Sequence, residues 1–456
     1  MTHSPARVPG TGSGTGSGPA VRRLTVTLYG YAFLDDFVLL YPVYALLFSD
    51  TGLTVWQISS LFCLWALTGV LLEIPSGAWA DAVSRRLLLW FGPLLTAAGF
   101  TLWVLAPSYW AFALGFVLWG AKGALGSGAL EALVYEELDR LGAADRYGAV
   151  MGRARAAGLV AVMASMPLTG PVLAFGGYPA VGLASVLACL LTAGTATRFP
   201  EHREPAGAVK GDDARREVPG DGAGEWLGDG TGEKPGDGSG DGWTRTLRAG
   251  LAEARADRSV RGALLLVPAV TAVWGALDEY TPLLVRDTGV AESAVPNWLL
   301  LIWAGATVGG LLAGVGRRLG TDGFAGLLAV SAVALAAGAW VRTPAGIGLV
   351  ALSFCGFQLA SVLADARLQD RIGGTGRATL TSVAGVGTDL TTIAVYGAYG
   401  VIGSATTHGA AFALFAVPYL VTAALLAVVA KGVGGRGVGG KRAARAARTS
   451  GSRARP

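Results

Sequence analysis

Two pairs of adjacent carboxylic acids, Asp35-Asp36 and Asp278-Glu279, lie inside stretches that are otherwise apolar and long enough to cross a membrane. A charge at such a place costs roughly 2.5–3.5 kcal/mol on insertion scales, so it marks a site or a buried partnership. A carboxyl there can load and release a proton or hold a cationic substrate. It can also simply accept hydrogen bonds from a nearby Tyr or Trp. Neighbours on a helix point about 100° apart, so Asp35 and Asp36 cannot both face one cavity squarely. One is expected to face a central cavity and the other a neighbouring helix. Lys122 is the one basic residue deep in an apolar stretch. It calls for a buried partner, unless its long stem carries the ammonium out to an interface. Tyr29, Phe33, Phe37 and Tyr41 recur every four residues beside the first acid pair. That stripe either lines a cavity for an amphipathic or aromatic substrate or packs against lipid and neighbouring helices.

The chain that must position these groups has 456 residues, 52% of them hydrophobic and 15% charged. Apolar stretches of about 20 residues, each sufficient for a hydrocarbon core of about 30 Å, recur about twelve times. They fall near residues 24–48, 55–80, 87–106, 109–132, 151–174, 178–198, 262–285, 297–315, 323–341, 344–366, 379–402 and 409–431. Backbone groups in lipid must be satisfied within the segment, which predicts helices. The alternating ten-residue strands of a membrane barrel are absent from the pattern. The first 20 residues are rich in Gly, Ser, Pro and Thr, and no cleavable leader is expected.

The net charge of +5 is unevenly placed. Connectors after even-numbered spans carry Arg85, Arg86, Arg140, Arg146, Arg153, Arg155, Arg317, Arg318, Arg367, Arg371 and Arg377; the opposite connectors offer Arg286 and Arg342. This bias puts both termini and the central loop in the cytoplasm of a multi-pass protein of the plasma membrane. The basic tail is expected to orient the chain and touch anionic lipid, not nucleic acid. Cys63, Cys189 and Cys355 sit within spans, in odd number, with no metal-site spacing. His3 and His202 fall in segments expected to be disordered, and His408 stands alone. No metal or cofactor is called for. Gly-rich runs at 10–18 and 373–377 match nucleotide-binding motifs only formally, since neither follows a strand or carries a Walker lysine.

Between the second and third spans runs Glu73-Ile74-Pro75-Ser76-Gly77-Ala78-Trp79-Ala80-Asp81-Ala82-Val83-Ser84-Arg85-Arg86. This resembles the loop between helices 2 and 3 of major facilitator transporters, roughly Gly-x-x-x-Asp-Arg-x-Gly-Arg-Arg, with Ala82 and Ser84 departing from it. Lys122-Gly123-Ala124-Leu125-Gly126-Ser127-Gly128 resembles that family's helix 4 motif, Arg-x-x-Gln-Gly-x-Gly, with Lys for Arg and Leu for Gln. The Gly170-Pro171 step, with Gly158, Gly176 and Gly177 around it, partly resembles the helix 5 motif of drug–proton antiporters; close packing through small residues is the other reading. The resemblance implies a cytoplasmic latch, closed while the transporter faces outward, made of Gly77, Asp81, Arg85, Arg86 and Glu131, with Glu131 placed to meet Arg85 and Asp81 to meet the start of helix 11; Glu73 either joins this cluster or is structural. It also implies a role in proton transfer for Lys122.

The two halves of the sequence echo each other. Leu34-Asp35-Asp36-Phe37 returns as Leu277-Asp278-Glu279-Tyr280, Asp50-Thr51-Gly52 as Asp287-Thr288-Gly289, Arg85-Arg86-Leu87 as Arg317-Arg318-Leu319, and Asp139-Arg140-Leu141-Gly142 as Asp370-Arg371-Ile372-Gly373. The order is kept and the offset is nearly constant. The expected fold is therefore all-α and integral to the membrane, with about twelve transmembrane helices in two six-helix pseudo-repeats, and with substrate near the midplane between them. The expected organisation is a disordered cytoplasmic N-terminus at 1–23, one bundle at 24–198, a cytoplasmic linker at 199–260, a second bundle at 261–431 and a basic tail at 432–456. The linker's last part, Trp243 to Arg258, could lie on the membrane as an amphipathic helix.

The function that follows is secondary active transport by alternating access: proton-coupled efflux of a small, partly apolar or drug-like compound. Expected partners are that substrate, protons and membrane lipid, with the chain a monomer. The cavity residues would be Asp35, Asp36, Asp278, Glu279, Lys122, Phe33, Phe37 and Tyr41. Proton-coupled uptake of a small metabolite is the alternative. An enzyme or a non-transporting receptor ranks below both, because no convergent nucleophile, metal or cofactor set is visible.

Overall fold

The computed structural model describes residues 17–126, 128–202, 258–372 and 377–431, and among these gives only the backbone of residues 17, 73–82, 258 and 377–379. Every regular element among them is helical. Among the described residues nine stretches are long and apolar enough to cross a membrane. One of these includes α7 (Tyr147–Ala196), whose 50 residues are far more than one crossing needs. α7 folds back at Gly177, whose backbone (φ 62°, ψ −163°) is non-helical, and so crosses twice. Two further crossings are less apolar. α1 (Ser17–Asp36) carries Arg22, Arg23, Asp35 and Asp36, and α13 (Arg377–Ala405) is diluted by threonine and glycine. Together these make the expected twelve.

The first half contains α1, α2 (Tyr44–Asp50), α3 (Val55–Ala82), α4 (Arg85–Leu105), α5 (Tyr109–Gly126), α6 (Ala129–Arg140) and α7. The second contains α8 (Arg258–Asp278), α9 (Thr281–Arg286), α10 (Val295–Leu311), α11 (Thr321–Val341), α12 (Pro344–Arg371), α13 and α14 (His408–Phe415). α1 packs on α7, α4 on α5 and α7, and α3 on α5; in the second half α12 packs on α8, α10 and α11, and α8 on α13. The halves meet along α3 with α13 and α7 with α10. Backbone approaches very closely where α10 crosses α12: a Cβ on Gly309 would collide with the Cys355 carbonyl oxygen. Close packing of small residues substitutes here for a hydrophobic driving force, which is weak between helices in lipid.

The first span of each half is broken, which the continuous apolar pattern did not predict. α1 stops at Asp36 and a turn at 37–43 leads to α2; α8 stops at Asp278 and resumes as α9 after Tyr280. Pro42 lies in the first break and Pro282 in the first turn of α9; each lacks the backbone donor that would continue the preceding helix through it. Freed backbone groups in the first break find partners on α7. The Leu40 N–H donates to Ser185 Oγ at 3.0 Å, and the Leu39 carbonyl accepts from Thr169 Oγ1 at 3.0 Å. Both hydroxyl residues are fully buried. Ser185→Ala would strand that N–H and is expected to lower stability by about 1–3 kcal/mol, measurable as a reduced melting temperature of the purified protein in detergent; an unchanged value would show that the break is held by other means.

The repeated Asp-Thr-Gly has a structural role. It ends α2 and α9, with Gly52 (φ 90°) and Gly289 (φ 82°) in the left-handed region and each threonine hydroxyl donating to a carbonyl of its own helix. Two boundaries also shift. α1 begins at Ser17, so residues 17–23 are helical and not a disordered terminus. Residues 199–202 are anchored: Phe199 is buried, Glu201 accepts from Ser84 Oγ and from the Arg85 N–H, and His202 Nδ1 lies 2.9 Å from Glu137 Oε1. His202 is therefore part of the folded bundle. Residues 203–257, with the proposed amphipathic segment up to Asp257, and the tail 432–456 lie outside the described residues.

Candidate transport site

The breaks bring both acid pairs to the centre of the molecule. Two neighbouring cavities, of about 350 and 600 Å³, share Trp65, Trp119, Lys122 and Glu279 as walls. The smaller is also lined by Asp36, Tyr41, Asp278 and Trp303; the larger by Thr271, Gly275, Asp389 and Tyr396. Helices of both halves supply these residues, so the site lies on the seam between them.

The acids of the first pair part company as helical geometry requires. Asp35 accepts from Lys122 Nζ at 2.7 Å, linking α1 to α5. Lys122 thus has a partly buried partner within the helix bundle, and it does not reach for an interface. Asp36 lines the smaller cavity and lies against Gly158 of α7, where a Cβ would collide with its Oδ2. Only glycine leaves room for that carboxyl, which gives Gly158 a local purpose. Asp278 and Glu279 both line the smaller cavity, and Glu279 the larger one as well. Among the described lining residues Lys122 is the one base.

The aromatic stripe does not survive as one helix face, because α1 ends before Phe37. Phe33 and Phe37 stack on each other with ring centroids 5.4 Å apart and line neither cavity. Tyr41 does line the smaller one, stacked on Trp119 at 5.1 Å with an interplanar angle of 4°. The aromatic walls come instead from Trp65, Trp119, Trp303 and Tyr396, which sequence periodicity did not single out. Asp389 was also missed. Its signal was present, since it is an acid within the apolar run of α13.

The cavities have a definite polarity. Every described hydrogen bond between the halves lies from mid-membrane towards the arginine-poor face. Ser59 Oγ meets the Tyr280 hydroxyl at 2.7 Å, and Cys63 Sγ donates to the Ile393 carbonyl at 3.6 Å. Tyr178 meets Glu292 at 2.6 Å, and Arg286 donates to Asp50 Oδ1 at 2.7 Å and Ser49 Oγ at 2.6 Å. Ser59 and Trp56 also press on Gly400. The larger cavity extends the other way, past Gly69, Val70 and Ala124 towards the arginine-rich face.

At that face the side chains of Glu73, Gly77 and Asp81 lie outside the described residues. Arg85 pairs with Glu136 of α6. Glu131, the partner expected for Arg85 when this face is closed, sits in the first turn of α6, more than one turn before Glu136. Arg86 Nη1 reaches the Phe199 carbonyl at 3.5 Å. These bonds tie α4 to α6 and to residues after α7, all within the first half. Among the described residues no group of three or more His, Cys, Asp or Glu is arranged to hold a metal ion.

The sequence model described as Major Facilitator Superfamily matches residues 26–396. No curated protein gives a significant sequence match. The fold is similar to a crystal structure of a mutant of the nucleoside transporter NupG, with TM-score 0.67 and 13% identity over 89% of this chain and 99% of that one. It is also similar to a bacterial homolog of the human lysosomal transporter Spinster in an inward-facing, occupied conformation, with TM-score 0.63 and 15% identity over 92% of this chain and 98% of that one.

Proposed function

The chain belongs to the major facilitator superfamily, and from that premise we propose that it exports a small, partly apolar, positively charged compound in exchange for protons. The supporting observation is the composition of the central site. Asp35 offsets Lys122, while Asp36, Asp278 and Glu279 line a cavity walled by indole and phenol rings. Carboxyls in such a place are neutralised in one of two ways, by a proton or by a cationic cargo. Competition between the two at the same groups is the chemistry of antiport. The aromatic walls add apolar area and cation–π attraction for the same cargo. The Thr271 hydroxyl, buried on the wall of the larger cavity without a partner among the described residues, adds a polar contact.

In this reading the arginine-rich face is cytoplasmic, the termini lie on that side, the membrane is the plasma membrane, and the structure represents the inward-facing state of a monomer. The segment at 203–257 tethers two six-helix domains. Asp81, Arg85 and Arg86 act on the cytoplasmic side when the cavity closes there, and Asp81→Asn is expected to slow transport without loss of membrane insertion.

The deciding experiment uses proteoliposomes with an imposed pH gradient. An aromatic quaternary ammonium probe should be accumulated on the acidic side, and a neutral aromatic of equal size should not. Accumulation of the probe on the alkaline side would establish uptake by symport, and indifference to the gradient would refute proton coupling. Orientation is checked separately: Gly211→Cys should react only with reagents that enter the cytoplasm, and Thr343→Cys with reagents outside. Labelling of both from one side would overturn the topology.

A further inference from the structure

At the arginine-poor face, far from the central acids, four ionisable side chains from both halves converge. Asp50 ends α2, Tyr178 follows the turn in α7, Arg286 ends α9, and Glu292 precedes α10. The Tyr178 hydroxyl lies 2.5 Å from Asp50 Oδ2 and 2.6 Å from Glu292 Oε1. A phenol carries one hydrogen and can donate to only one of these oxygens. The second contact, at true hydrogen-bond length, needs a hydrogen on the carboxyl itself. Arg286 donates to Asp50 Oδ1 at 2.7 Å, and a guanidinium cation beside it makes Asp50 the acceptor of the two carboxyls. The extra proton therefore belongs on Glu292. The bonds then form a directed chain: Glu292 donates to the Tyr178 oxygen, Tyr178 donates to Asp50, and Arg286 donates to Asp50 from the other side.

We infer that Glu292, Tyr178 and Asp50 form a proton-binding site on the outer seam between the halves, filled while the seam is closed and emptied as it opens. Glu292 belongs to the second half, and Tyr178 and Asp50 to the first. Separating the halves takes the phenol and the carboxylate away from Glu292 and exposes it to water, where a glutamic acid titrates near its ordinary value of about 4.3. At neutral pH it then gives its proton to the external solvent. The closed seam binds one proton more than the open one. Acidification therefore favours closure, by at most tenfold per pH unit within the window where Glu292 is protonated closed and ionised open. Arg286 and Asp50 also act on Glu292 by charge, Arg286 against its protonation and Asp50 in favour of it; Arg286 and Asp287 further act on His408 at the start of α14, which is hydrogen-bonded through Nδ1 to the Tyr399 hydroxyl at 2.8 Å. The site is separate from the central carboxyls and does not depend on what the cargo is; the proposed orientation enters only in calling this face outer.

The test is the width of the outer seam against pH, measured by electron–electron distances in full-length protein in lipid nanodiscs. Spin labels go on Ala106→Cys and Thr343→Cys, one on each half at this face, with Cys63, Cys189 and Cys355 changed to Ser. In the parent protein the short-distance population should grow as pH falls from 8 to 5. Glu292→Gln can still donate to Tyr178 but cannot ionise, so its distance distribution should stop following pH. Tyr178→Phe should lose the response as well, through loss of the closed state's preference for the proton. His408→Gln should keep it. A parent seam indifferent to pH would overturn the proposal, as would a full response in Glu292→Gln or in Tyr178→Phe.

Discussion

Asp36→Asn is expected to abolish pH-driven accumulation in proteoliposomes while exchange of cargo across the membrane continues at a comparable rate. The reason is positional. Of the first acid pair, Asp35 is committed to Lys122 and Asp36 faces the cavity. Asparagine keeps the shape beside Gly158 and removes the titrating group. A driving force of 100 mV supplies about 2.3 kcal/mol per charge, which corresponds to roughly fiftyfold accumulation. In the variant that ratio should fall to about one. Exchange needs no net proton movement and should survive. Glu279→Gln is the companion variant, because Glu279 lines both cavities and supplies the matching acid from the second half. Full accumulation by the Asp36→Asn, Glu279→Gln double variant would exclude these carboxyls as the coupling site.

The second large effect concerns the ion pair that ties α1 to α5. Lys122→Met leaves Asp35 without its partner in a low-dielectric interior, and Asp35→Asn leaves the ammonium unpaired. Each single change is expected to destabilise the first half by about 1–3 kcal/mol, since the pair is partly buried and breaking it exposes part of the desolvation cost of the charge that remains. The double variant, Lys122→Met with Asp35→Asn, should recover most of that loss, because both charges are gone. A double-mutant cycle on thermal unfolding in detergent measures the coupling. Additive losses would mean that the pair contributes little, and that each residue acts through other contacts. The cycle also separates structure from function. If the pair only braces the fold, the double variant should transport; if Lys122 takes part in proton transfer, the double variant should be stable and inactive.

The sequence alone determined the class of the molecule and its internal repeat. Apolar length dictates the number of crossings, because a hydrocarbon core has a fixed thickness and backbone groups within it have no water to bond. It also marked most of the central acids for the same reason: Asp35, Asp36, Asp278 and Glu279 are conspicuous wherever charge is expensive. The departures are of a different physical kind. Apolar periodicity cannot register a break that hydroxyls on another helix repair, so the ends of α1 and α8 became visible only with Ser185 and Thr169 in place. Which acid of a pair faces the cavity depends on where Lys122 and Gly158 are, and both belong to other helices. Asp389 and the tryptophans of the cavity walls lie on three or more separate helices, and only their packing makes them one surface. That Arg85 meets Glu136 in this state depends on the course of α6, which spacing along the chain does not reveal. The meeting of Asp50, Tyr178, Arg286 and Glu292 across the seam is decided wholly by the state in which the two halves stand. Sequence supplies the charges, but a contact between two rigid halves exists only in the conformation that brings them together.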